Sequence, residues 1–386
     1  MKSLVNQTIR DLPTSGIRKF FDIAAEMKGV VSLGVGEPDF VTPWRIREEA
    51  IFSLEQRRTV YTANAGLPEL REEISRYMSS RFGLQYSPDK QVLVTVGASE
   101  GIDLAIRAVV EPGDEVLVVE PCFVSYKPCV VMAGGVPVSV PTSAANGFRV
   151  TAAEIEEKIT PKTKAIMLSY PNNPTGAVLD PAEVAALAAL LRQHDIAVIS
   201  DEIYAELTYG DTPHTSIASL PGMYEKTIVL NGFSKAFSMT GWRIGYACGC
   251  EEIIAAMNKI HQYIIMCAPT TAQYGGLEAL RNGAQSVGQM RKEYDARRRY
   301  MLDELHGMGL DCAEARGAFY LFPSIQKFGM PAEEFCGRLL QEQRLAVVPG
   351  TAFGACGEGH FRCAYAYSID NIKEALDRLR KFITSL

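Results

Sequence analysis

Five short runs rich in β-branched residues, QVLVTVG (91–97), DEVLVVEP (114–121), KAIMLSYP (164–171), IAVISDE (196–202) and KTIVLNG (226–232), alternate with stretches of helical character. That alternation is the pattern of a parallel sheet covered by helices, because parallel neighbours need a long crossover connection. The runs are continuously apolar rather than alternating, so the strands are expected to be buried on both faces. Asp180-Pro-Ala-Glu183 then supplies an N-cap, a proline at the first helical position and a reciprocal glutamate ahead of VAALAALLRQHD, which predicts a crossover helix. Ligands of open α/β sheets lie beyond the carboxyl ends of the strands. The search for chemistry therefore narrows to the short segments that follow each run.

A chain of 386 residues exceeds one ordinary core, so a large domain with a smaller one is expected. After about residue 285 the texture changes to RKEYDARRRYMLDELHGMG, then GAFYLFP, a helix near 332–343 and FRCAYAYS, which reads as a smaller α+β domain. The predicted division is an N-terminal arm over 1–45, carrying Gly34, Gly36, Pro38 and Pro43, a large domain over 46–285 and a small one over 286–386. Arg291, Lys292 and Arg297 to Arg299 are interleaved with Glu293, Asp295, Asp303 and Glu304, so a solvated helix face of mutually paired charges is expected. With a net charge of −6 and no basic run, nucleic acid is not an expected partner, and small molecules are. The opening MKSLVNQTIRDLP has no apolar stretch of a secretory signal, and no eighteen apolar residues run together, so no membrane partner is expected. Nine cysteines without a C-x-x-C pair predict reduced thiols in the cytoplasm. Cys248-Gly-Cys250 lies in the apolar run IGYACGC and reads as a strand end; no metal is expected.

Lys235 lies just past the strand end KTIVLNG, and Arg243 opens the apolar run GWRIGYACG eight residues later. Asp201 ends the buried run IAVIS, followed by Glu202 and Tyr204, at a position where an ionised group needs a cation or a donor to meet it. A protonated pyridine nitrogen is one such partner. Gly97-Ala98-Ser99 opens a helix directly after a strand and offers free backbone N–H groups to an anion such as phosphate. Tyr170-Pro-Asn-Asn-Pro-Thr-Gly176 follows another strand. Singly, these segments read as an idle surface lysine, a helix-capping aspartate and a turn. Together they place a phosphate site, a lysine, a carboxylate and an asparagine-rich turn on the carboxyl ends of one sheet.

PNNPTG, SDEIYAEL and NGFSKAFSMTGWRIGY resemble the motifs of class I aminotransferases, pyridoxal-phosphate enzymes of fold type I, and the likeness runs from SLGVGEPDF near 32 to FRCAYAYS near 367. The resemblance implies Lys235 as the Schiff-base residue that carries pyridoxal 5′-phosphate, Asp201 on the pyridine nitrogen, and Asn173 with Tyr204 on the phenolic oxygen. It also implies backbone N–H groups of Ala98 and Ser99 and the side chain of Arg243 on the phosphate, and Phe123 stacked on the ring. Tyr61 matches the tyrosine that reaches the phosphate of the neighbouring subunit, which implies a homodimer with shared active sites. Arg362 matches the arginine that holds the substrate α-carboxylate, with Gly36 beside it. Two positions depart from the pattern. Gly232 stands where many relatives carry a phosphate-binding serine, so Ser234 is the candidate to replace it; Ser99 stands where an aspartate-specific branch has a lysine.

The implied reaction is ping-pong transamination from an L-amino acid, aromatic or related, to a 2-oxo acid such as 2-oxoglutarate, with Lys235 moving the proton from Cα to the cofactor C4′. PCFVSYKPCVVMAGG looks most like archaeal-type aromatic aminotransferases, whereas GAFYLFPSIQKFGM and ELTYGDTPHTSIAS also resemble bacterial N-acetyl-diaminopimelate aminotransferases. Donor choice is expected to depend on loops around Ile17, Tyr263 and Tyr320. Aspartate transamination, β-elimination by a carbon–sulfur lyase and a non-catalytic cofactor-sensing module are the competing readings.

Overall fold

The computed structural model describes residues 3–14, 27–211 and 213–386. After a short strand β1 (Val31–Ser32) come helices α1 (Trp44–Glu55) and α2 (Pro68–Phe82). Strand β2 (Val92–Thr95) then leads into α3 (Gly97–Val109). Strands β3 (Glu115–Glu120), β4 (Val136–Pro141), β5 (Thr163–Ser169), β6 (Ala197–Asp201), β7 (Thr227–Gly232) and β8 (Gly245–Cys248) follow, with α4 (Pro181–Leu191) between β5 and β6. They form one seven-stranded sheet in the order β2-β8-β7-β6-β5-β3-β4, in which β8 alone runs antiparallel to its neighbours.

Side chains of successive residues leave a strand on opposite faces, and both faces here are covered. Val116, Val118, Met167 and Ile199 pack with Ile102 and Ile106 of α3 and with Met257 of α5 (Glu251–Ile264). Leu117, Val119, Ile166, Leu168 and Val198 pack on the other side with Val184, Leu187 and Leu191 of α4. At the start of α4 the Asp180 N–H donates to Glu183 Oε2 at 2.8 Å, the reciprocal cap that the sequence predicts. All five predicted runs are strands. The structure adds β4, whose two prolines blur its pattern; it lies at the sheet edge, where a proline removes no ladder bond.

Helices α6 (Thr270–Asn282) and α7 (Ala284–Gly307) lead to a second layer built from β9 (Tyr320–Leu321), α8 (Ala332–Gln343), β10 (Leu345–Ala346), β11 (Val348–Pro349), β12 (Phe361–Ala364) and α9 (Ile369–Thr384). Strand β12 pairs antiparallel with both β11 and β9, and β1 pairs with β10. Its core joins Phe319, Phe335, Phe361 and Phe382 to Leu33 and to Tyr204. The basic cluster on α7 pairs partly as expected: Arg298 and Arg299 meet Asp295, but Arg297 reaches across to Asp39 at 2.8 Å. Among the described residues no helix is long and apolar enough to cross a membrane.

Register decides what the sheet can present. Ser169 lies level with Asp201, and Gly245 lies level with both Thr95 and Gly232. The residues after β2, β5, β6 and β7 thus emerge along one rim, facing the layer that carries Tyr320 and Arg362.

Candidate active site

A cavity of about 470 Å³ opens at that rim, and it is lined by Gly36, Ala98, Ser99, Phe123, Asn173, Asp201, Tyr204, Ser234, Lys235, Arg243 and Arg362. Eleven of the twelve residues given a cofactor or substrate role from sequence therefore line one cavity. The twelfth, Tyr61, is 78% exposed and lies outside the cavity of its own chain. Tyr320 lines the cavity, Tyr263 is 84% exposed and does not, and Ile17 falls outside the described residues.

Lys235 projects from the turn after β7 and its Nζ donates to the Gly36 carbonyl at 2.7 Å. Burial above all, joined by the Arg362 and Arg243 guanidinium groups and opposed by Glu37 and Asp201, lowers its pKa to about 8. The folded group thus gives up its proton near pH 8, whereas an unfolded chain holds it to 10.5. Its destabilising effect is fully present below about pH 8 and fades as pH rises towards 10.5. In cofactor-free protein, acylation of Lys235 by a limiting amine reagent, read by mass spectrometry, should rise with a midpoint near pH 8. Arg362→Gln should move that midpoint upward, since a cation that disfavours the ammonium is gone. An unmoved midpoint would contradict the electrostatic account.

Asp201 ends β6 and is 5% exposed. Burial pushes its carboxyl up, while a bond from the Tyr126 hydroxyl to Oδ2 (2.7 Å), a bond from the Ile203 N–H to Oδ1 (3.2 Å) and the charge of Lys235 hold it down. Tyr126 is a cavity residue and a partner of Asp201 that sequence reasoning missed. Its signal was there, three residues after Phe123 in PCFVSY, but only the fold reveals that its hydroxyl reaches Asp201. Its ring also meets Phe123 edge-on at 5.7 Å.

Arg362, on β12, is 3% exposed. Nη1 donates to Asn173 Oδ1 (2.8 Å) and Nη2 to the Gly34 carbonyl (2.6 Å), while Nε is buried with no partner among the described residues. Tyr320 and Phe353 flank the guanidinium at 4.5 and 4.7 Å. A buried fork with donors to spare is built for a carboxylate. Because Asn173 spends its oxygen on Arg362, its amide nitrogen is the group left to donate. The Tyr204 and Tyr320 hydroxyls share a hydrogen bond of 2.8 Å. A Cβ on Gly36 would collide with the Tyr320 hydroxyl, which explains glycine there.

The turn from β2 into α3 forms a cup. Gly97 has φ +75°, and a Cβ on it would lie 2.8 Å from Arg243 Nη2; a Cβ on Gly245 would lie 2.7 Å from the Ala98 nitrogen. Two glycines thus let backbone N–H groups, a helix N-terminus and a guanidinium converge. Arg243 itself has φ +52°, a left-handed conformation that costs a non-glycine residue about 1–2 kcal/mol. Its Nη1 donates to the Thr240 carbonyl at 2.9 Å, which turns the side chain back over the cup. Gly232 is also accounted for: a Cβ there would lie 2.8 Å from Gly245 Cα on β8, so a serine does not fit against this neighbour. Ser234, buried and lining the cavity, is the nearby hydroxyl.

The donor set fits a flat, phosphorylated pyridine: a cup for a dianion, an aromatic ring, a buried acid for a ring N–H and an amine of lowered basicity. Fold and cavity together define a pyridoxal-phosphate-dependent transferase of fold type I. The family model for aminotransferase class I and II matches residues 28–379, and the chain belongs to that family. It is 55% identical over 383 residues to a putative aminotransferase, YugH, of Bacillus subtilis, with 99% of each chain covered. It is 46% identical to an aspartate aminotransferase of Pyrococcus abyssi, covering 96% of this chain and 95% of that one. The crystal structure of an aromatic aminotransferase from Pyrococcus horikoshii superposes with a TM-score of 0.91 at 41% identity, covering 96% of this chain and 99% of that one.

Proposed function

We propose that this aminotransferase moves the amino group of an L-amino acid with an aromatic or related uncharged side chain to a 2-oxo acid such as 2-oxoglutarate. The carrying observation is the charge of the cavity wall. Among the described residues its cations are Lys235, Arg243 and Arg362, and each has a task on the cofactor or the α-carboxylate. Around them stand Val35, Ile102, Ile203, Tyr320 and the carboxylate of Glu37. An aromatic side chain finds apolar and ring contacts in this wall, whereas a second carboxylate, that of aspartate and that of 2-oxoglutarate alike, finds no further cation among its described residues.

Pyridoxal phosphate, when bound, supplies the electron sink for the charge left at Cα. In this reading Ala98, Ser99, Ser234 and Arg243 hold its phosphate, Asp201 the ring nitrogen, Asn173 and Tyr204 the phenolic oxygen, and Phe123 the ring face. Arg362, with the Gly36 backbone beside it, grips the donor's α-carboxylate and so orients Cα. Lys235 Nζ, neutral in a large fraction near pH 8, takes the proton from Cα.

We further propose a homodimer in which Tyr61 serves the neighbouring site. Tyr61, like Trp44, Val60, Tyr263 and Ile264, is a large apolar or aromatic side chain more than half exposed, surface that a second subunit would cover. The division into an arm (1–45), a large domain (46–285) and a small domain (286–386) is proposed on the pairing of Val31 with Leu345 and the place of Leu33 in the C-terminal core. A cytoplasmic location is supported by nine free cysteines.

Half-reaction spectra with phenylalanine, tyrosine, aspartate, glutamate and N-acetyl-diaminopimelate test the donor. The rate constant at low donor concentration should favour phenylalanine or tyrosine over aspartate by at least about tenfold, the factor given by about 1.4 kcal/mol of unpaired charge. Aspartate reacting faster than both would overturn the donor assignment while leaving the aminotransferase intact.

A further inference from the structure

Behind the cup, on the side away from the cavity, lies a polar pair with no part in the chemistry above. Glu100, in the first turn of α3, accepts the Val96 N–H on Oε2 at 2.5 Å, and His261 Nδ1 on α5 donates to its Oε1 at 2.7 Å. The His261 ring is fully buried and the Glu100 side chain is 15% exposed. Val96 is the N-cap of α3, immediately before the left-handed Gly97. One carboxylate thus bonds the residue that enters the cup and is held by a ring from a different helix. The His261 backbone is anchored in turn, because its carbonyl accepts the Ile265 and Met266 N–H groups at the end of α5 (2.9 and 3.1 Å).

A neutral apolar residue would fill the space of His261 more cheaply. Its Nε2 is buried without a partner among the described residues, which costs stability. What the histidine supplies is the fixed bond to Glu100. Without it the carboxylate is free to rotate away, Val96 loses its acceptor, and the N–H groups of Ala98 and Ser99 lose their common aim. Donors that must converge on one dianion are sensitive to small displacements, since the contribution of each bond falls steeply with angle and distance.

We propose that Glu100 and His261 are positioning residues for the phosphate cup, acting through Val96 to set the backbone that grips the cofactor's phosphate. This rests on the reading that Ala98, Ser99 and Arg243 face that phosphate, and the experiment separates the two. Dissociation constants of the cofactor-free protein are measured for pyridoxal 5′-phosphate and for pyridoxal, which lacks the phosphate, in the parent protein and in His261→Leu, His261→Gln, Glu100→Gln and Arg243→Ala. A general loss of structure weakens both ligands alike, whereas a disturbed cup weakens only the phosphorylated one.

The preference for pyridoxal phosphate over pyridoxal should fall by more than about threefold in His261→Leu and return to within about threefold of the parent in His261→Gln, which keeps a donor for Glu100. Should His261→Leu fail to fold, Glu100→Gln carries the same expectation, because an amide competes poorly for two donors. A preference that changes by less than about threefold in the variant measured overturns the proposal. If Arg243→Ala nevertheless loses the preference, the phosphate reading stands and only the role of the pair falls; if Arg243→Ala also keeps it, the phosphate reading falls too.

Discussion

Lys235→Ala should leave a folded protein that binds pyridoxal phosphate without a covalent bond and turns over about four orders of magnitude more slowly, the upper range for loss of one positioned general base. The size of the effect follows from the two tasks of one amine. In the proposed reading it holds the cofactor and is the basic nitrogen above the donor's Cα; the structure brings it into the cavity on the turn after β7 and tethers it to the Gly36 carbonyl at 2.7 Å. No other lysine lines the cavity among the described residues, so none is placed to substitute. Added small amines should restore part of the rate in the alanine variant, because they can enter the space that the side chain leaves. Turnover of Lys235→Ala within tenfold of the parent would be incompatible with this assignment.

Asp201→Ala should lower the rate constant by about three orders of magnitude. A carboxylate about 4 Å from a cationic ring nitrogen is worth roughly 4 kcal/mol at an effective dielectric of 20, which corresponds to about a thousandfold in rate. The structure shows why the residue can do this from a buried position. Burial favours the neutral acid and prevails in the cofactor-free protein, the bonds from Tyr126 and Ile203 counter part of it, and in the proposed reading a cationic ring nitrogen adds to their side. Tyr126→Phe should consequently act in the same direction but less strongly, since one hydrogen bond to a charged group contributes about 1.5–3 kcal/mol. A rate for Asp201→Ala within tenfold of the parent, with the cofactor bound, would show that the ring nitrogen needs no anion here.

How far these residues could be read from sequence follows from the range of the contacts involved. β-branched runs and a capping box are local signals, so the five buried strands and the crossover helix α4 are legible. So are the strand-end residues Lys235, Asp201 and Asn173, because a parallel sheet forces the ends of its strands onto one rim. Strand β4 is not legible, since its prolines carry no strand propensity and only the edge position tolerates them. Tyr126 with Asp201, and Glu100 with His261, are separated by 75 and 161 positions, and no periodicity relates them. Arg297 illustrates the same limit: its helix offers nearby acids, yet it pairs with Asp39 and lies over the Phe40 ring. Gly232 reads in sequence as a missing serine, and in space as the only residue type that clears β8.

The most direct test of the account is where the cofactor is attached. The protein loaded with pyridoxal phosphate is reduced with borohydride, digested and mapped by mass spectrometry. A phosphopyridoxyl group on Lys235, in the peptide that contains NGFSKAFSM, is the predicted result; the group on any other lysine, or none retained after reduction, would contradict it.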